Sequence, residues 1–413
     1  MALRVLVSAY ACEPGKGSEP AVGWNWVRQI SRFHQVWVIT RANNRQPIET
    51  ALAKGVLPNA HWVYFDLPYW MRFWKRGQHG VHLYYYFWQV GAYFVVKRLH
   101  RVTNFEMIHH VTFAQYWIPS FLALLGVPFI WGPVGGGESA PRAFWRDFSM
   151  HGKVFEAFRT LARSLAAVDP VTLMVARRAR IALATTQETA ARLRRLGARH
   201  VIVHAEFGMT QWERESFGRF PLRRGNPFRL ISIGRLLHWK GFHLALRAFA
   251  RLVAVHPDCE YWIINEGPEM DHLKVLARKL GVQSKVTFWG KLPTLDDVYH
   301  KLSECDVLVH PALHEAFGNV CLEAMAAGRP VVCLDLGGPA LQVTEEAGIK
   351  PAASSPQQAV RDLADAFCKL ASDSELRARL SLGARKRVEQ CFDWDRKGLS
   401  MAEVYQSVSN DQP

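Results

Sequence analysis

Short apolar runs alternate with amphipathic helical stretches along the whole chain, and this alternation restricts the possible folds more than any other feature. Strands separated by helices pair in parallel, because each helix carries the chain back to the same edge of the sheet. The chain is also too long for one core, and two domains of about 200 residues each are expected. The sequence therefore predicts an α/β protein with two parallel sheets that carry helices on both faces. The strand-like runs lie at 3–8, 36–40, 61–65, 107–111, 128–131, 181–184 and 201–204, and then at 229–233, 260–264, 286–289, 306–309 and 330–334.

A stretch rich in glycine, proline and arginine at 217–226 predicts the linker between the two domains. In open α/β sheets, ligands bind outside the carboxyl ends of the strands. Functional residues are therefore expected in the loops that follow strands, and two segments of the second half meet this condition.

The first of these segments carries two acids, Glu315 and Glu323, with seven residues between them. Glu315 is expected in the loop after the apolar strand at 306–309, and Gly318 and Asn319 open an apolar helix that carries Glu323. Free backbone N–H groups at a helix start bind anions. The segment therefore suits a ligand with hydroxyls at both ends and phosphate in the middle, which is the chemistry of a nucleotide-sugar. Two solvent-exposed acids in an ordinary strand–loop–helix unit would give the same spacing.

The other segment carries two cations in the turn after the strand at 229–233. That strand runs into Gly234, and Arg235 and Lys240 flank the turn before the next apolar helix. Arginine offers a rigid fork for phosphate oxygens, and lysine offers a compact point charge. Either cation alone is explained as a surface charge, but the pair upstream of the two-acid segment predicts a site that neutralises a diphosphate.

Together these segments resemble the retaining glycosyltransferases of family 4, whose GT-B fold has two Rossmann-like domains facing a central cleft. The resemblance spans nearly the whole chain and is looser in the N-terminal half, at 12–19 and 131–138. At Asn265 this chain departs from the family, because most members have glycine there. The matching residues of the C-terminal half are Gly234, Arg235, Lys240, Gly241, Glu315, Phe317, Gly318, Asn319, Glu323 and the run 327–332.

The resemblance implies a retaining hexosyltransferase that moves a hexose from a nucleotide-diphosphate sugar to an acceptor hydroxyl, with no cofactor other than this donor. Arg235 and Lys240 would bind the diphosphate and stabilise the leaving charge. Glu323 would accept hydrogen bonds from the ribose, and Glu315 would hold hydroxyls of the transferred sugar. The catalytic residues so implied are Arg235, Lys240, Glu315 and His110. The implied donor-binding residues are Gly15, Lys16, Gly17, Gly234, Arg235, Lys240, Glu315, Phe317, Gly318, Asn319, Val320 and Glu323.

The same resemblance assigns a role to each domain. Residues 1–216 would form the acceptor-binding domain and residues 227–394 the nucleotide-sugar-binding domain, and a last helix at about 395–413 would cross back to the N-terminal domain. The run 393–395 imitates the metal-binding Asp-x-Asp of another transferase fold, but its position after the donor domain favours a helix cap. We therefore predict no metal site.

The N-terminal half adds three candidates. The glycine loop at 15–17 follows the first strand and lets the backbone approach donor phosphates or the sugar, although a plain surface turn would look the same. His110 ends a strand and, by resemblance, would reach the transferred sugar; the adjacent His109 leaves the register open. Glu138, after the glycines at 135–137, is a candidate to accept a hydrogen bond from the acceptor, and a loop acid without a role is the alternative.

The formal net charge of +15 is concentrated in one half of the chain. Residues 1–225 hold 29 Lys and Arg against 13 Asp and Glu, a net charge of +16, which predicts attraction to an anionic partner. Aromatic and basic residues mix at 67–76 and 83–98, a pattern typical of the headgroup zone of an anionic membrane. An interfacial helix or a greasy acceptor groove is expected there, with an ordinary aromatic-rich core helix as the alternative. Nucleic acid is not expected as a partner, because no recognised binding module accompanies the charge.

Seven cysteines without a Cys-x-x-Cys pair are typical of reduced, buried thiols. The apolar start at 3–8 is too short for a signal-peptide core, and the uncharged stretch at 111–137 is interrupted by prolines and glycines. We therefore predict a cytoplasmic protein that is peripheral on the inner face of the cytoplasmic membrane. Its expected acceptor is a lipid-linked or envelope or exopolysaccharide glycan precursor.

Two other functions fit the same fold. One is a noncatalytic GT-B module that binds a nucleotide-sugar or glycan, which the complete set of Arg235, Lys240, Glu315 and Glu323 disfavours. The other is a GT-B nucleotide-sugar epimerase, whose product would be a free altered sugar and no new glycoside. The residues leave the donor base and the hexose open.

Overall fold

The computed structural model describes residues 2–73, 80–223 and 225–410. These residues form two compact units. The first unit comprises 2–137, 160–208 and 394–410, and the second unit comprises 138–159 and 209–393. Of the sequence features discussed above, Trp74, Lys75 and Arg76 of the aromatic run and Arg224 of the expected linker lie outside the described residues.

The second unit includes residues 138–159, which the sequence prediction placed in the N-terminal domain. Phe144 and Phe148 explain this grouping, because both are buried in the same apolar core as Phe249 and Leu313. A helix near the C-terminus groups with the first unit, where the sequence also placed it.

The first unit contains a sheet in which all strand pairs are parallel. Its strands are β1 (Arg4–Ser8), β2 (Gln35–Thr40), β3 (Ala60–Tyr64), β4 (Met107–His110), β5 (Phe129–Val134), β6 (Ala179–Ala184) and β7 (Val201–Val203). Over the described ranges their spatial order is β3-β2-β1-β4-β5-β6-β7. β1 is buried from its second residue onward, as expected for an apolar strand that is covered on both faces. The carboxyl ends of β1 and β4 lie side by side, so the loop after β1 and His110 share one edge of the sheet.

The second unit contains another parallel sheet. Its strands are β8 (Phe228–Ile233), β9 (Cys259–Ile264), β10 (Val286–Gly290), β11 (Val307–His310), β12 (Val331–Cys333) and β13 (Gly348–Ile349). Within the part of the chain that the structure describes, the order is β10-β9-β8-β11-β12-β13. β8 and β11 are neighbours, so the loops that follow them leave the sheet at the same edge.

Helices connect the strands in both units. In chain order they are α1 (Glu19–Ile30), α2 (Arg45–Leu52), α3 (Val81–Thr103), α4 (Met150–Ala166), α5 (Pro170–Arg178), α6 (Gln187–Arg195), α7 (Gln211–Gly218), α8 (Phe242–Val255), α9 (Met270–Lys279), α10 (Leu295–Ser303), α11 (Asn319–Ala326), α12 (Gly337–Gln342), α13 (Pro356–Ser372), α14 (Ser374–Cys391) and α15 (Trp394–Asn410). Searched over the described residues, no helix combines the length and hydropathy that a membrane crossing requires.

All of the strand-like runs predicted from the sequence form strands, within one to three residues at their ends. β13 is the strand that the pattern missed, because two residues are too few to show an apolar alternation. The helix predicted to start after Gly318 is α11, and Asp393 stands just before α15. Asp393 also accepts a hydrogen bond at 2.7 Å from Arg214.

Candidate active site

The loops that follow β8 and β11 are held against each other by their backbones. Gly241 has a φ of 71°, and a Cβ atom there would lie 1.9 Å from the carbonyl oxygen of Pro311, so only glycine fits. In addition, the Leu313 amide of the loop after β11 donates a hydrogen bond to the Trp239 carbonyl oxygen of the loop after β8, at 2.7 Å. The residue between Trp239 and Gly241 is Lys240, and it is therefore carried close to the loop that bears Glu315.

Lys240 and Glu315 form an ion pair in which the lysine ammonium donates to Oε2 of the carboxylate. The His310 Nε2 atom, at the end of β11, lies 3.7 Å from the same oxygen. Burial raises the pKa of Glu315, but the His310 imidazole and the Lys240 ammonium lower it more strongly, to about 2. Glu315 is therefore an anionic hydrogen-bond acceptor at neutral pH, partly buried, with a cation beside it.

The backbone around Glu315 is fixed from the opposite side by α12. The Gly338 amide donates to the Glu315 carbonyl oxygen at 2.9 Å, and the Gln342 side-chain amide donates to the Phe317 carbonyl oxygen at 2.6 Å. A Cβ atom on Gly337 would lie 2.3 Å from the Glu315 carbonyl oxygen, so α12 approaches as closely as a glycine allows. The Glu315 side chain is thus presented from a rigid loop.

The helix α11 starts directly beyond this loop. Gly318 caps it with a φ of 86°, a left-handed conformation that glycine adopts without strain. Over the described residues, the amides of Asn319 and Val320 have no hydrogen-bond acceptor, so both are available to a ligand. The partial positive charge of the helix start adds to that of the nearby Lys240.

Glu323 lies one turn further along α11, about 6 Å from the helix start. The Tyr299 hydroxyl lies 3.5 Å from its Oε1 atom. Burial and the negative charge of Glu213 raise the pKa of Glu323 to about 7. Glu323 therefore gains or loses its charge near neutral pH, unlike Glu315.

Arg235 follows Gly234 at the end of β8, and its side chain is exposed. Its guanidinium is accessible from solvent, and its carbonyl oxygen accepts a hydrogen bond from the Leu237 amide at 2.9 Å. The Leu236 amide next to it donates to the Glu266 carbonyl oxygen at 2.9 Å, which ties this loop to the one after β9.

Asn265, where the resembling family has glycine, keeps the backbone that a glycine would adopt. Its φ is 99°, and its amide donates to the Gly290 carbonyl oxygen at 2.7 Å. Asparagine is one of the few other residues that tolerate this region, because its side chain bonds locally. Here Oδ1 accepts a hydrogen bond from the Glu266 amide at 2.8 Å. At this departure from the family pattern the backbone thus has a positive φ, which glycine also adopts readily.

In the first unit, the two adjacent histidines have different environments. His109 is held at both ring nitrogens, 2.7 Å from the Tyr405 hydroxyl and 2.7 Å from the Gly132 carbonyl oxygen. The His110 Nε2 atom lies 2.9 Å from the Tyr85 hydroxyl, and within the described residues Nδ1 has no partner. Burial and the neighbouring His109 lower the pKa of His110 to about 3, so its imidazole is neutral. The two histidines therefore differ, because both ring nitrogens of His109 have partners whereas His110 is held through Nε2.

The glycine loop lies at the same sheet edge. Gly15 has a φ of 71°, and Gly15 and Gly17 have open space where a Cβ atom would be. Lys16 pairs with Glu13 at 2.8 Å and is largely exposed. Beside Gly15 is an open groove of about 720 Å³, lined by Glu13, Pro14, Gly15, Trp24, Gln46, Pro47, Thr50, Ala51, Lys54 and Val56.

Glu138 differs from the picture of a surface-loop acid, because it is buried, with 2% of its surface exposed. It belongs to the second unit.

Two residues of the site were not predicted from the sequence. They are His310, next to Glu315, and Tyr299, next to Glu323. The signal for His310 was available, since a histidine at the carboxyl end of a strand beside a candidate acid is well placed to hold it. Tyr299 lies on α10 and was identifiable only from the tertiary contact.

Residues 213–387 match the family described as Glycosyl transferases group 1. This match covers the two-acid segment and the Arg235–Lys240 turn. Among curated proteins, the chain is 35% identical over 182 residues to the glycogen synthase of Mycobacterium tuberculosis, covering 44% of this chain and 43% of that protein. It is 30% identical over 209 residues to the lipopolysaccharide core biosynthesis glycosyltransferase LpsD of Rhizobium meliloti, covering 50% and 58%. The chain thus spans about half the length of the curated relatives that it matches.

Solved structures resemble the chain over nearly its whole length. A sucrose-phosphate synthase from Thermosynechococcus elongatus superimposes with a TM-score of 0.65 at 16% identity, over 99% of this chain and 100% of that one. HepE of Anabaena, in complex with UDP and glucose, superimposes with a TM-score of 0.59 at 18% identity, over 98% and 100%. At these identities the likeness shows the fold alone, and this is the GT-B fold with two Rossmann-like domains.

Proposed function

We propose that this chain, whose residues 213–387 match the glycosyl transferases group 1 family, is a retaining glycosyltransferase. It would transfer a hexose from a nucleotide-diphosphate sugar to an acceptor hydroxyl, without a divalent metal. The observation that carries the proposal is the Lys240–Glu315–His310 cluster beside the start of α11.

The donor phosphates are assigned to Lys240 of this cluster, to Arg235 and to the start of α11. Arg235 is exposed, and the amides of Asn319 and Val320 are available at the helix start. With Lys240, these groups concentrate positive potential where the diphosphate would sit, which stabilises the charge that develops on the leaving group. The UDP bound by HepE supports a nucleoside diphosphate as the ligand class.

The two acids are assigned to the two ends of the donor. Glu323, one helix turn from the phosphate position, would accept hydrogen bonds from the ribose hydroxyls. Glu315 would accept hydrogen bonds from hydroxyls of the transferred hexose, which its low pKa suits because it stays ionised. Without donor, Glu315 is paired with Lys240, so we expect donor phosphate to take over part of that cation's hydrogen bonding.

The chemical step would use no protein nucleophile. Glu315, the acid of the cluster, is engaged by a cation and an imidazole, and this disfavours covalent attack by its carboxylate. The acceptor oxygen would bond to the anomeric carbon on the face from which the diphosphate leaves, and its proton would pass to a donor phosphate oxygen. His110 of the first unit, which is neutral, is assigned to hydroxyls of the hexose. Gly15, Lys16 and Gly17 are likewise assigned to the donor.

The acceptor is assigned to the first unit. Its open groove beside Gly15 offers the ring of Trp24 together with the polar side chains of Gln46, Thr50 and Lys54. Aromatic faces and mixed hydrogen-bonding groups suit a carbohydrate, so we propose a glycan precursor of the cell envelope or of an exopolysaccharide. The names of two matched relatives in lipopolysaccharide core biosynthesis support this class. Glu138, the acceptor contact predicted from the sequence, is buried in the second unit and is not assigned to this groove.

The first unit also presents an aromatic surface that supports attachment to an anionic membrane. Tyr69, Trp70 and Phe73 are 76%, 71% and 64% exposed at the tip before α3, and Phe94 on α3 is 63% exposed. Arg98 and Arg101 follow on the same helix. Exposed rings beside cations are the composition that binds the headgroup zone, and such a location would bring the enzyme to a lipid-linked acceptor.

The proposal is tested by incubating the protein with UDP-, GDP- and ADP-hexoses and a lipid-linked oligosaccharide extract, with a chelator present throughout. Release of nucleoside diphosphate that depends on the extract, with a product whose anomeric configuration by NMR matches the donor, is the expected result. Turnover that requires added magnesium, or a product of inverted configuration, would contradict the metal or the retention claim. Tight donor binding without any transfer would favour a noncatalytic module, and a free altered sugar would favour an epimerase.

A further inference from the structure

A buried carboxylate lies behind the Lys240–Glu315 pair and is not part of the donor site proposed above. Glu156 on α4 is 1% exposed and belongs to the second unit. Its Oε1 atom lies 3.3 Å from Nε2 of His238 and 3.0 Å from Nε2 of His314. A single carboxylate oxygen therefore accepts hydrogen bonds from two imidazoles, each of which must carry a proton on Nε2 to donate.

The two histidines that contact Glu156 lie close in the chain to Lys240 and Glu315. His238 stands two residues before Lys240, in the turn after β8, and His314 stands directly before Glu315, in the loop after β11. Glu156 thus binds the two loops at the points from which the paired lysine and acid project. The two loops come from strands that are neighbours in the sheet, so one side chain can reach both.

Ring stacking also holds α4 against the loops that follow β8 and β11. The Trp239 ring is stacked on Phe155 at a centroid distance of 5.2 Å and on His314 at 5.1 Å. Gly152, one turn before Glu156, is close enough that a Cβ atom there would lie 3.1 Å from the His238 ring. α4 is therefore packed tightly against both loops, and the rings resist their sliding apart.

Electrostatics supports a permanently ionised carboxylate. Burial raises the pKa of Glu156, but the hydrogen bonds from His238 and His314 and the positive charge of Arg159 lower it to about 2. Charge-assisted hydrogen bonds are stronger than neutral ones, so the contact is well suited to fix two loops.

We propose that Glu156 is a positioning residue that holds the Lys240 and Glu315 loops in the spacing needed to bind the donor. It acts through His238 and His314 and touches no substrate itself. We call the contact of Glu156 with His238 and His314 the loop clamp. The clamp concerns the spacing of Lys240 and Glu315 in the free protein and is independent of the proposed function. Its consequence for donor binding and catalysis rests on the proposed function.

The clamp is tested first without any ligand. Lys240 is only 16% exposed and paired with Glu315, so its amine reacts slowly with an acylating reagent, and mass spectrometry can follow this lysine in the full chain. In Glu156→Gln, which keeps the side-chain size and removes the charge, Lys240 should be acylated at least about threefold faster. The matched control is Asp306→Asn, because Asp306 is also a buried acid with arginine and backbone partners, but at the opposite end of β11.

A second variant covers the case in which Glu156→Gln does not fold. His314→Phe keeps a ring to stack on Trp239 and removes the hydrogen bond to Glu156. All rates are compared at equal distance below each variant's Tm, so that a general loss of stability affects Glu156→Gln, His314→Phe and Asp306→Asn alike. Faster acylation in the first two and not in the control supports the clamp; wild-type rates in both, or an equal rise in the control, would overturn it.

Ligand binding then separates the clamp from the proposed function. By calorimetry with UDP, GDP and ADP, Glu156→Gln should weaken the tightest of the three about three- to tenfold. When Glu156→Gln is made in a Lys240→Ala background, the affinity for the nucleotide should fall no further. The loop that Glu156 positions has then already lost its cation. Additive losses would mean that Glu156 acts elsewhere and would refute the positioning role. If no nucleotide binds the wild type, the proposed function fails while the acylation result still decides the clamp.

Discussion

The Lys240→Ala variant gives the most direct test of the donor site. Lys240 makes a charge-assisted contact to Glu315 in the free protein and is assigned to donor phosphate in the complex. Losing one such contact to a diphosphate costs about 1.5–3 kcal/mol, which is roughly a ten- to 150-fold loss of affinity. Calorimetric titration with nucleoside diphosphate measures this directly, in the absence of acceptor.

The structure adds a second effect that the assay must separate from the first. Removing the ammonium leaves the Glu315 carboxylate without its cation, and a bare carboxylate close to the phosphate position would repel the ligand. The double variant Lys240→Ala/Glu315→Gln removes this repulsion. If lysine contacts phosphate directly, the double variant stays at least about tenfold weaker than Glu315→Gln alone.

Two results would refute the reasoning. Recovery of wild-type affinity in the double variant would mean that Lys240 only neutralises Glu315. Wild-type affinity in Lys240→Ala itself would remove the lysine from the donor site altogether. The matched control is Lys274→Ala, because Lys274 is an exposed lysine on α9 of the same unit and has no assigned role.

Three further predictions follow from the same site and surface. Glu323→Ala should weaken binding of free nucleoside diphosphate, whereas Glu315→Gln should spare that binding and reduce transfer; the reverse pattern would show that the two roles are exchanged. Because the pKa of Glu323 is raised from 4.5 to about 7, the folded protein holds a proton that the unfolded chain has released, and stability is lost as pH rises through this window. Chemical denaturation should show this loss in the wild type and a flatter profile in Glu323→Gln, and parallel profiles would rule out the assigned shift. Tyr69→Ala/Trp70→Ala should reduce co-sedimentation with anionic vesicles at low salt, whereas Trp212→Ala, which removes a comparably exposed ring from the second unit, should not; equal, negligible binding of the wild type to anionic and neutral vesicles would dismiss the membrane surface.

Local pattern was sufficient to predict most elements. The strand runs are apolar because both faces of a parallel sheet are covered, so their signal survives without any knowledge of partners. Gly318 and Asn319 predicted the start of α11 for a similar reason, since a helix start has local chemical requirements. β13 escaped, because its pairing with β12 comes from tertiary contact and its two residues carry no pattern of their own.

The sequence predicted the positions of strands and helices better than the backbone conformation of loops. The sequence alone did not determine the conformation at Asn265, and only the structure shows its φ of 99° and the hydrogen bond that its Oδ1 accepts from the Glu266 amide. The sequence also did not show that residues 138–159 belong to the second unit. Phe144 and Phe148 read as ordinary apolar residues of the N-terminal half, and only their burial with the second core assigns them to it.

By itself, the sequence determined the two parallel sheets and the chemistry available in the loops after β8 and β11, because strand burial, helix starts and charged side chains are properties of short segments. The tertiary structure alone decided which groups meet. The Lys240–Glu315 pair joins residues 75 positions apart, and the Glu156–His314 contact spans 158. Such contacts depend on the order of strands in the sheet and on the packing of α4, neither of which any short segment encodes.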